Sequence, residues 1–368
     1  MNILIITPDY PTERENNYAF VEQLVNEWAR VGHHCTVVST YSISKHKHFC
    51  PFHTSKTIGS GKVDIYRPNT ISFSNFQFMG VSPSSVMYRW GMMRAFKAIK
   101  TKQDVVYCHF WQSAILGTEY AKLHNIPCYV ATGESEIKKL LGNADVSFAK
   151  DVKGVICVSS KNRDESIELH LTTKDKCKVL PNAVNSDLFH KMDKGECRRK
   201  LGLEKDVFII AFVGAFIERK GPDRVSAAIN QISGKSVYSL FIGTGNVSPT
   251  ANNILHCGKV MHDDIPTYLN AADVFVLPTL KEGCCNAVVE AMACGLPIVS
   301  SNLSFNWDVL DESNSIMIDP MDVDEIKKAI ELLRDDESLR ARLSDGALEK
   351  AKSLTIDQRA KRIIEFIQ

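Results

Sequence analysis

Two glutamates, Glu282 and Glu290, stand in a segment whose pattern could bind a polar ligand. An apolar run ends near Pro278, and the spacing predicts a helix from about Asn286 to Gly295, where glycine suits a left-handed C-cap. Glu282 then lies in a loop beside a helix N-terminus, whose free N–H groups attract anions. Glu290 lies among apolar helix residues and needs a polar partner, which could be a sugar hydroxyl, a lysine or a backbone group.

A pair of adjacent cations, Arg219 and Lys220, forms the second candidate site. They follow the predicted strand Val207–Val213 and precede Gly221-Pro222, where proline suits the first turn of a helix. Two cations at a helix N-terminus favour a diphosphate ligand, and two solvated surface charges are the simpler alternative. Taken alone, the pair leaves both interpretations open.

The common nucleotide-binding motifs do not occur where they would be expected. The loop Thr7–Asn17, after the first apolar run, contains no glycine, and no Gly-Lys-Ser/Thr follows a predicted strand. This disfavours a dinucleotide oxidoreductase and a P-loop ATPase. The 11 cysteines include no Cys-x-x-Cys pair, which argues against a disulfide framework or a zinc site. We expect neither a metal nor a cofactor.

Short apolar runs alternate with amphipathic segments along the chain, which is typical of parallel sheets covered by helices. One series of strands starts at Asn2–Thr7 and a second at Val207–Val213. We therefore predict an α/β protein with a first lobe over 1–183 and a second over 184–354. The last helical stretch, about 355–368, is expected to pack back on the first lobe.

Charge differs between the two predicted lobes, although the chain of 368 residues has a net charge of only +1. Residues 1–183 contain 22 Lys/Arg and 16 Asp/Glu, whereas residues 184–368 contain 22 and 27. A basic first half and an acidic second half indicate different partners for the two lobes, or simply chance variation. We expect no nucleic acid partner.

The chain is expected to be cytoplasmic. No run approaches the roughly 18 apolar residues of a transmembrane helix, and the N-terminal apolar run lacks the basic flank of a signal peptide. Residues 86–102 mix apolar side chains with five cations. Such a helix either makes peripheral contact with the inner face of an anionic membrane or packs on its own sheet.

Several motifs occur in a characteristic order: Arg-Lys-Gly at 219–221, then Glu-x7-Glu from Glu282, then Ala-x-Ala-x-Gly-x-Pro up to Pro297. Together they resemble the family 4 retaining glycosyltransferases of the GT-B fold, of the bacterial surface-polysaccharide type. Three further segments resemble the family's linker, its base-binding loop and the helix after that loop: 180–189, 257–260 and 268–273. The resemblance implies two Rossmann-like lobes facing a central cleft, the first for the acceptor and the second for a nucleotide-sugar donor.

The resemblance also implies roles for individual residues. Arg219 and Lys220 would hold the donor diphosphate and neutralise the leaving group, Glu282 would hold the donor sugar, and these three are the catalytic candidates. Glu290 would accept hydrogen bonds from the ribose. The other donor-side candidates are Gly214, Val260, Gly283, Cys284, Cys285 and Asn286, and the acceptor-side candidates are Asn16, Asn17, Tyr18, His109 and Thr132. The substrates would be a nucleotide-diphosphate sugar, with UDP as the guessed nucleotide, and a glycan or lipid-linked acceptor.

Two departures from the family pattern keep other functions open. Asn16-Asn17-Tyr18 replaces a glycine-rich loop, although Asn tolerates a left-handed backbone. Thr132-Gly133-Glu134 stands where many members have a histidine, and threonine cannot act as an acid. The alternatives are a nucleotide-sugar epimerase of the same fold and a non-catalytic subunit that binds a nucleotide sugar.

Overall fold

The structure is a computed structural model that describes residues 1–15, 17–73, 82–142, 144–204, 206–234 and 236–368. The chain divides into two compact units. The first comprises Met1–Val158, Asn162–Leu180 and Arg359–Gln368, and the second comprises Ser159–Lys161 and Pro181–Gln358. The predicted changeover between residues 183 and 184 lies three residues beyond the junction of Leu180 and Pro181.

The first unit is built on a mostly parallel sheet. Among the described residues its strand order is β10-β9-β8-β7-β1-β2-β5-β4, and β3 pairs separately with β6. The strands are β1 Asn2–Ile6, β2 His34–Val38, β3 Tyr41–Ser42, β4 His53–Ile58, β5 Gly61–Tyr66, β6 Asn69–Thr70, β7 Val105–His109, β8 Cys128–Thr132, β9 Gly154–Cys157 and β10 Cys177–Val179. The helices up to residue 180 are α1 Ala19–Arg30, α2 Ile43–His46, α3 Pro83–Ala98, α4 Trp111–His124, α5 Ile137–Leu141 and α6 Ser160–Glu168.

The central strands of this sheet are buried on both faces. The four residues from Ile3 to Ile6 are fully buried, as a parallel strand covered by helices requires. One edge differs from the predicted parallel pattern, because β4 runs antiparallel to β5. The two strands are joined through Gly59, whose φ of 57° is left-handed, as hairpin turns require. Strand β4 is mostly exposed and has no apolar run, so the sequence analysis did not identify it.

The second unit contains a fully parallel sheet with the order β13-β12-β11-β14-β15-β16 among its described residues. The strands are β11 Phe208–Val213, β12 Val237–Ile242, β13 Ile254–Gly258, β14 Val274–Leu277, β15 Ile298–Ser301 and β16 Ser315–Ile318. The helices are α7 Lys194–Leu201, α8 Pro222–Asn230, α9 Ile265–Ala271, α10 Asn286–Ala293, α11 Val323–Asp335 and α12 Glu337–Ala351. Both units are thus Rossmann-like α/β structures.

In each unit the strand order reverses direction beside the strand that opens its series. Strand β1 lies between β7 and β2, and strand β11 lies between β14 and β12. The loops that leave the carboxyl ends of two such neighbours diverge and leave a crevice, where α/β proteins bind ligands. The two crevices that matter therefore lie after β1 and β7, and after β11 and β14.

The last helix, α13 Ile356–Ile367, lies mostly in the first unit. The indole N–H of Trp28 donates a hydrogen bond to the carbonyl of Ala360 at 3.1 Å. The ring of Phe366 contacts that of Tyr129, with ring centres 5.8 Å apart. Ile363 is fully buried. None of the helices in the described residues is both long and apolar enough to cross a bilayer.

Replacing Ile363 with alanine should therefore destabilise the first unit. A buried Ile→Ala change costs about 2–5 kcal/mol, because apolar contacts are lost and a cavity remains. Urea unfolding followed by tryptophan fluorescence measures this loss, with Lys361→Ala on the exposed face of the same helix as the matched control. Equal unfolding midpoints for the two variants would contradict the packing role of α13.

Candidate functional site

The candidate site of the second unit lies at the crevice after β11 and β14. The loop after β11 carries Arg219 and Lys220, and the loop after β14 carries Glu282. The amide N–H of Leu280 donates a hydrogen bond to the carbonyl of Arg219 at 2.8 Å, so the backbones of the two loops are joined directly. The residues predicted from two separate motifs are therefore brought together.

Both cations contact the same carboxylate oxygen. Lys220 Nζ lies 2.7 Å and Arg219 Nη1 lies 2.6 Å from Glu282 Oε1. The hydroxyl of Thr279 donates to the same oxygen at 2.9 Å. Because two cations share one carboxylate, one positive charge remains for an anionic ligand, as a diphosphate site requires.

Lys220 is held in its charged form. Its side chain is 12% exposed, and burial alone would lower its pKa. The Coulombic interactions with Cys285 and Glu282 outweigh that effect and raise the pKa of Lys220. Lys220 Nζ lies 3.7 Å from Cys285 Sγ, at the start of α10. The lysine is therefore a fixed positive charge at neutral pH.

Arg224, which the sequence analysis did not single out, links the two loops. Its guanidinium donates to the carbonyl of Glu218 at 2.9 Å and to that of Pro278 at 2.8 Å. It lies directly against Gly221, whose φ of 76° is left-handed and where any side chain would meet the guanidinium. Glycine is therefore required at position 221 by both its backbone and its neighbour. The short-range pattern gave no signal for Arg224, because its partner Pro278 lies on another loop, 54 residues away.

The start of α10 is organised by Asn182. Its side-chain amide donates to the carbonyl of Cys284 at 2.9 Å and to Asn286 Oδ1 at 2.7 Å. Cys285 is the N-cap residue and supplies no side-chain oxygen to cap the helix. Gly283 is buried just before these residues. The helix N-terminus thus lies beside the Lys220 ammonium, which reinforces the preference for an anion.

Glu290 has a partner that was not foreseen, neither a lysine nor a backbone group. Its Oε1 lies 3.7 Å from His262 Nε2, and the His262 ring packs edge-on against Phe189, with ring centres 5.3 Å apart. The interaction with Glu290 raises the pKa of His262, against a smaller opposing effect of burial. Val260, a predicted donor-side residue, is half-buried two positions before His262.

Gly214 lies where β11 opens into the cation loop. Its amide N–H donates to the carbonyl of Ile242 at 3.0 Å, and a Cβ at this position would stand 3.6 Å from the Lys220 side chain. The amide of Gly243 donates in turn to the carbonyl of Gly258 at 2.9 Å. The loops after β11, β12 and β13 are thereby connected side by side.

In the first unit, the loop after β1 brings Tyr18 close to His109, the last residue of β7. Their ring centres are 6.3 Å apart. Among the described residues of the first loop, Tyr18 has a left-handed backbone, with φ of 58°, whereas the sequence had pointed to the asparagines. Asn17 is exposed, and Asn16 lies outside the described residues.

His109 is a neutral, buried side chain. Only 7% of it is exposed, and neither ring nitrogen has a hydrogen-bond partner among the described residues. Burial, helped by the charge of Arg359, lowers the pKa of His109 to about 3. At neutral pH the ring is uncharged, so one nitrogen can accept a hydrogen bond and the other can donate one, but it holds no extra proton to give.

Thr132 is engaged with the carboxylate of Glu134. Its hydroxyl donates to Glu134 Oε2 at 2.6 Å, and the amide of Gly133 donates to the same oxygen at 2.8 Å. Trp111 is the first residue of α4, and its amide N–H donates a hydrogen bond to Glu134 Oε1 at 2.8 Å. Burial raises the pKa of Glu134, although these donors oppose the shift. Glu134 therefore joins the end of β8 to the start of α4.

The pair of His262 and Glu290 should make the stability of the second unit depend on pH. Because the folded pKa of His262 is raised, its stabilisation is fully present below the unfolded value of about 6.5 and is lost as the pH rises through the folded pKa. The Glu290→Gln variant should thus lose more stability relative to wild type at pH 5.5 than at pH 8.5. Urea unfolding at both pH values tests this, with exposed Glu312→Gln as control. An identical loss of stability at the two pH values would show that His262 and Glu290 do not form a stabilising pair.

Sequence profiles of two families match the two halves of the chain: Glycosyltransferase Family 4 over residues 19–188 and Glycosyl transferases group 1 over residues 193–350. The UDP-Gal:alpha-D-GlcNAc-diphosphoundecaprenol alpha-1,3-galactosyltransferase of Escherichia coli is 29% identical over 296 residues, covering 70% of this chain and 76% of that protein. Sucrose-phosphate synthase from Thermosynechococcus elongatus superposes with a TM-score of 0.77 at 18% identity, covering 99% of this chain and 97% of the other. The Anabaena protein HepE in complex with UDP and glucose superposes with a TM-score of 0.72 at 15% identity, covering 99% of this chain and 98% of the other. The chain belongs to the family 4 glycosyltransferases and has the GT-B fold.

Proposed function

We propose that this glycosyltransferase moves a sugar from a UDP-sugar to a glycan or lipid-linked acceptor, with retention of anomeric configuration and without a metal ion. The observation that carries the donor half of the proposal is the convergence of Arg219 and Lys220 on Glu282 beside the start of α10. This arrangement offers fixed positive charge where a diphosphate would gain negative charge. Such preorganised electrostatic stabilisation is usually the largest contribution to catalysis.

The residues of the second unit then divide the donor between them. Arg219 and Lys220 bind the diphosphate, and the excess positive charge grows more favourable as the bond from the anomeric carbon to the phosphate oxygen breaks. Glu282 accepts hydrogen bonds from the donor sugar, and Glu290 accepts them from the ribose hydroxyls. We assign no protein nucleophile.

The proposed substrates follow from two similar proteins. The Escherichia coli relative is named for a UDP-sugar donor and a diphosphoundecaprenol-linked acceptor. The HepE structure contains UDP and glucose. We therefore propose a role in surface polysaccharide synthesis, with the acceptor bound by the first unit near Tyr18, His109 and Thr132.

Peripheral contact with an anionic membrane is proposed for residues 86–102. One face of α3 packs in the core of the first unit through Met92, Ala95 and Phe96. The opposite face exposes Val86 at 53% and Trp90 at 52%. Arginines and lysines accompany these apolar side chains, a combination that suits an anionic bilayer surface. Both interpretations of the segment are thereby compatible, because they use different faces of one helix.

Lys220→Ala should raise the activation free energy of turnover by about 2–4 kcal/mol. This is roughly the loss seen when one hydrogen-bond donor to the transition state is removed. The KM for the donor should change less, because the charge acts most strongly on the departing diphosphate. Steady-state kinetics with UDP-sugars and a lipid-linked acceptor measure both constants. Exposed Lys200→Ala on α7 is the matched control. Wild-type turnover in folded Lys220→Ala protein would refute the donor assignment.

Metal chelation should leave transfer unchanged. Among the described residues, no group of three His, Cys, Asp or Glu is arranged to hold a metal ion. The chain does contain one Asp-x-Asp, at Asp322 to Asp324, but Asp322 caps α11 by accepting the amide N–H of Asp324 at 2.8 Å. Transfer rates measured in EDTA and after added Mn²⁺ test the proposal. A strict requirement for the added metal would contradict it.

A further inference from the structure

A cavity of about 570 Å³ lies in the first unit, and its lining includes none of the candidate site residues described above. It is lined by the loop after β1, by the segment after β3 and by the ends of β4 and β5. The side chains that matter in it are Arg14, Tyr41, His48, Phe49, Lys56 and Arg67. Its volume falls within the roughly 300–1,000 Å³ range of small-molecule sites.

Arg67 is the unusual residue of this cavity, because it is a buried cation without an acidic partner. Its side chain is 7% exposed. Its guanidinium donates to the carbonyl of Pro11 and, at 3.4 Å, to the hydroxyl of Thr54, both of which are neutral. Its Nε has no hydrogen-bond partner in the described part of the chain. A buried charge normally has an opposite charge beside it, so this site favours an anion.

The other charged groups of the cavity do not supply that anion. Glu22 is committed to Lys56, with Oε1 and Nζ 2.7 Å apart. Glu13 and Arg14 are both exposed and of opposite sign. The charged side chains lining the cavity therefore sum to one positive charge, and Arg67 is the most deeply buried of them.

The rim of the cavity suits a sugar ring. Phe49 is 75% exposed at the cavity wall. The hydroxyl of Tyr41 and Nε2 of His48 are 2.6 Å apart, and the Tyr41 ring stacks on His46 with ring centres 4.4 Å apart. Aromatic faces with polar edges bind molecules that have both an apolar face and hydroxyl groups. A carbohydrate with one anionic group matches both the buried Arg67 and the aromatic rim of the cavity.

We propose that this cavity binds the anionic group of a sugar acceptor, with Arg67 contacting a phosphate or carboxylate and Phe49 packing on the sugar ring. The inference rests on the proposed function, because it identifies the acceptor class for the first unit. The shared chemistry is an oxyanion on a carbohydrate, whether a sugar phosphate or a uronic acid. Arg67 is well suited to either ligand, since a planar guanidinium can bind a phosphate or a carboxylate through two hydrogen bonds.

Ligand-observed NMR titrations with glucose 1-phosphate, glucuronate and neutral glucose test the proposal on the full chain. We expect at least one of the two anionic sugars to bind more than tenfold tighter than glucose, and the tighter one identifies the group as phosphate or carboxylate. Arg67→Gln should weaken that binding at least tenfold. Phe49→Ala, at an exposed position, should weaken it severalfold without affecting the fold, and it decides the question if circular dichroism shows that Arg67→Gln is unfolded.

Lys220→Ala is the control that separates this cavity from the proposed donor site. Binding of the anionic sugar should survive Lys220→Ala, and binding of UDP should survive Arg67→Gln. The proposal is overturned if neither anionic sugar binds tighter than glucose, if Phe49→Ala leaves the affinity unchanged, or if Lys220→Ala abolishes binding that Arg67→Gln leaves intact. Failure of the donor assignment would appear differently, as UDP binding and transfer that are insensitive to Lys220→Ala.

Discussion

The carboxylate oxygen of Glu282 that Arg219 and Lys220 share is the interaction on which the second unit's site depends. It joins the loops after two adjacent strands at the point where the strand order reverses, which is where such loops diverge. Arg224 joins the same two loops through hydrogen bonds to the carbonyls of Glu218 and Pro278. The cations are therefore already in position before any ligand binds, so little reorganisation is needed when charge develops.

The crevice of the first unit lies at the corresponding position in its sheet, but it is organised by a buried carboxylate, that of Glu134. Phe110, between β7 and α4, has φ of 71° and ψ of 153°, which is a strained conformation for a residue with a side chain. The next amide, that of Trp111, is fixed by Glu134 Oε1, and Phe110 itself donates to the carbonyl of Ala131 at 2.8 Å. Glu134 thus supports a strained junction directly beside His109. A buried carboxylate with several hydrogen-bond donors stabilises this geometry without needing a cation.

The sequence predicted what depends on short-range pattern and could not predict what depends on distant partners. Apolar runs such as β14 Val274–Leu277 and the helix stop at Gly295 were identified because strand burial and C-caps leave local signals. The motif residues Arg219, Lys220 and Glu282 were proposed as site residues from local patterns in the same way. By contrast, Arg224 joins Glu218 on the loop just before its own helix to Pro278, 54 residues away, and neither contact leaves a periodic signal.

Asn182 and His262 were not identified as candidate site residues for this reason as well, although Asn182 lies within a segment that resembled the family and His262 lies two residues beyond another. Asn182 acts on Cys284 and Asn286 across 102 and 104 positions of sequence. His262 approaches Glu290 from the turn after β13. The resemblance identified where these segments belong, and only the three-dimensional arrangement gives their side chains a partner.

The protonation states of the first unit limit the mechanism that the proposed reaction can use. His109, with a pKa of about 3, is neutral, and the hydroxyl of Thr132 is already donated to Glu134, so neither is a proton donor at neutral pH. A departing nucleoside diphosphate does not need one, because phosphate groups with a second pKa near 6 leave largely as anions. What it needs is compensating positive charge, and Lys220 keeps that charge despite its burial, because the Glu282 carboxylate lies 2.7 Å from its Nζ and the pKa of Lys220 is raised. The segment Thr132-Gly133-Glu134, which stands where many family members have a histidine, is thus compatible with the proposed transfer, which relies on fixed cations for the leaving group.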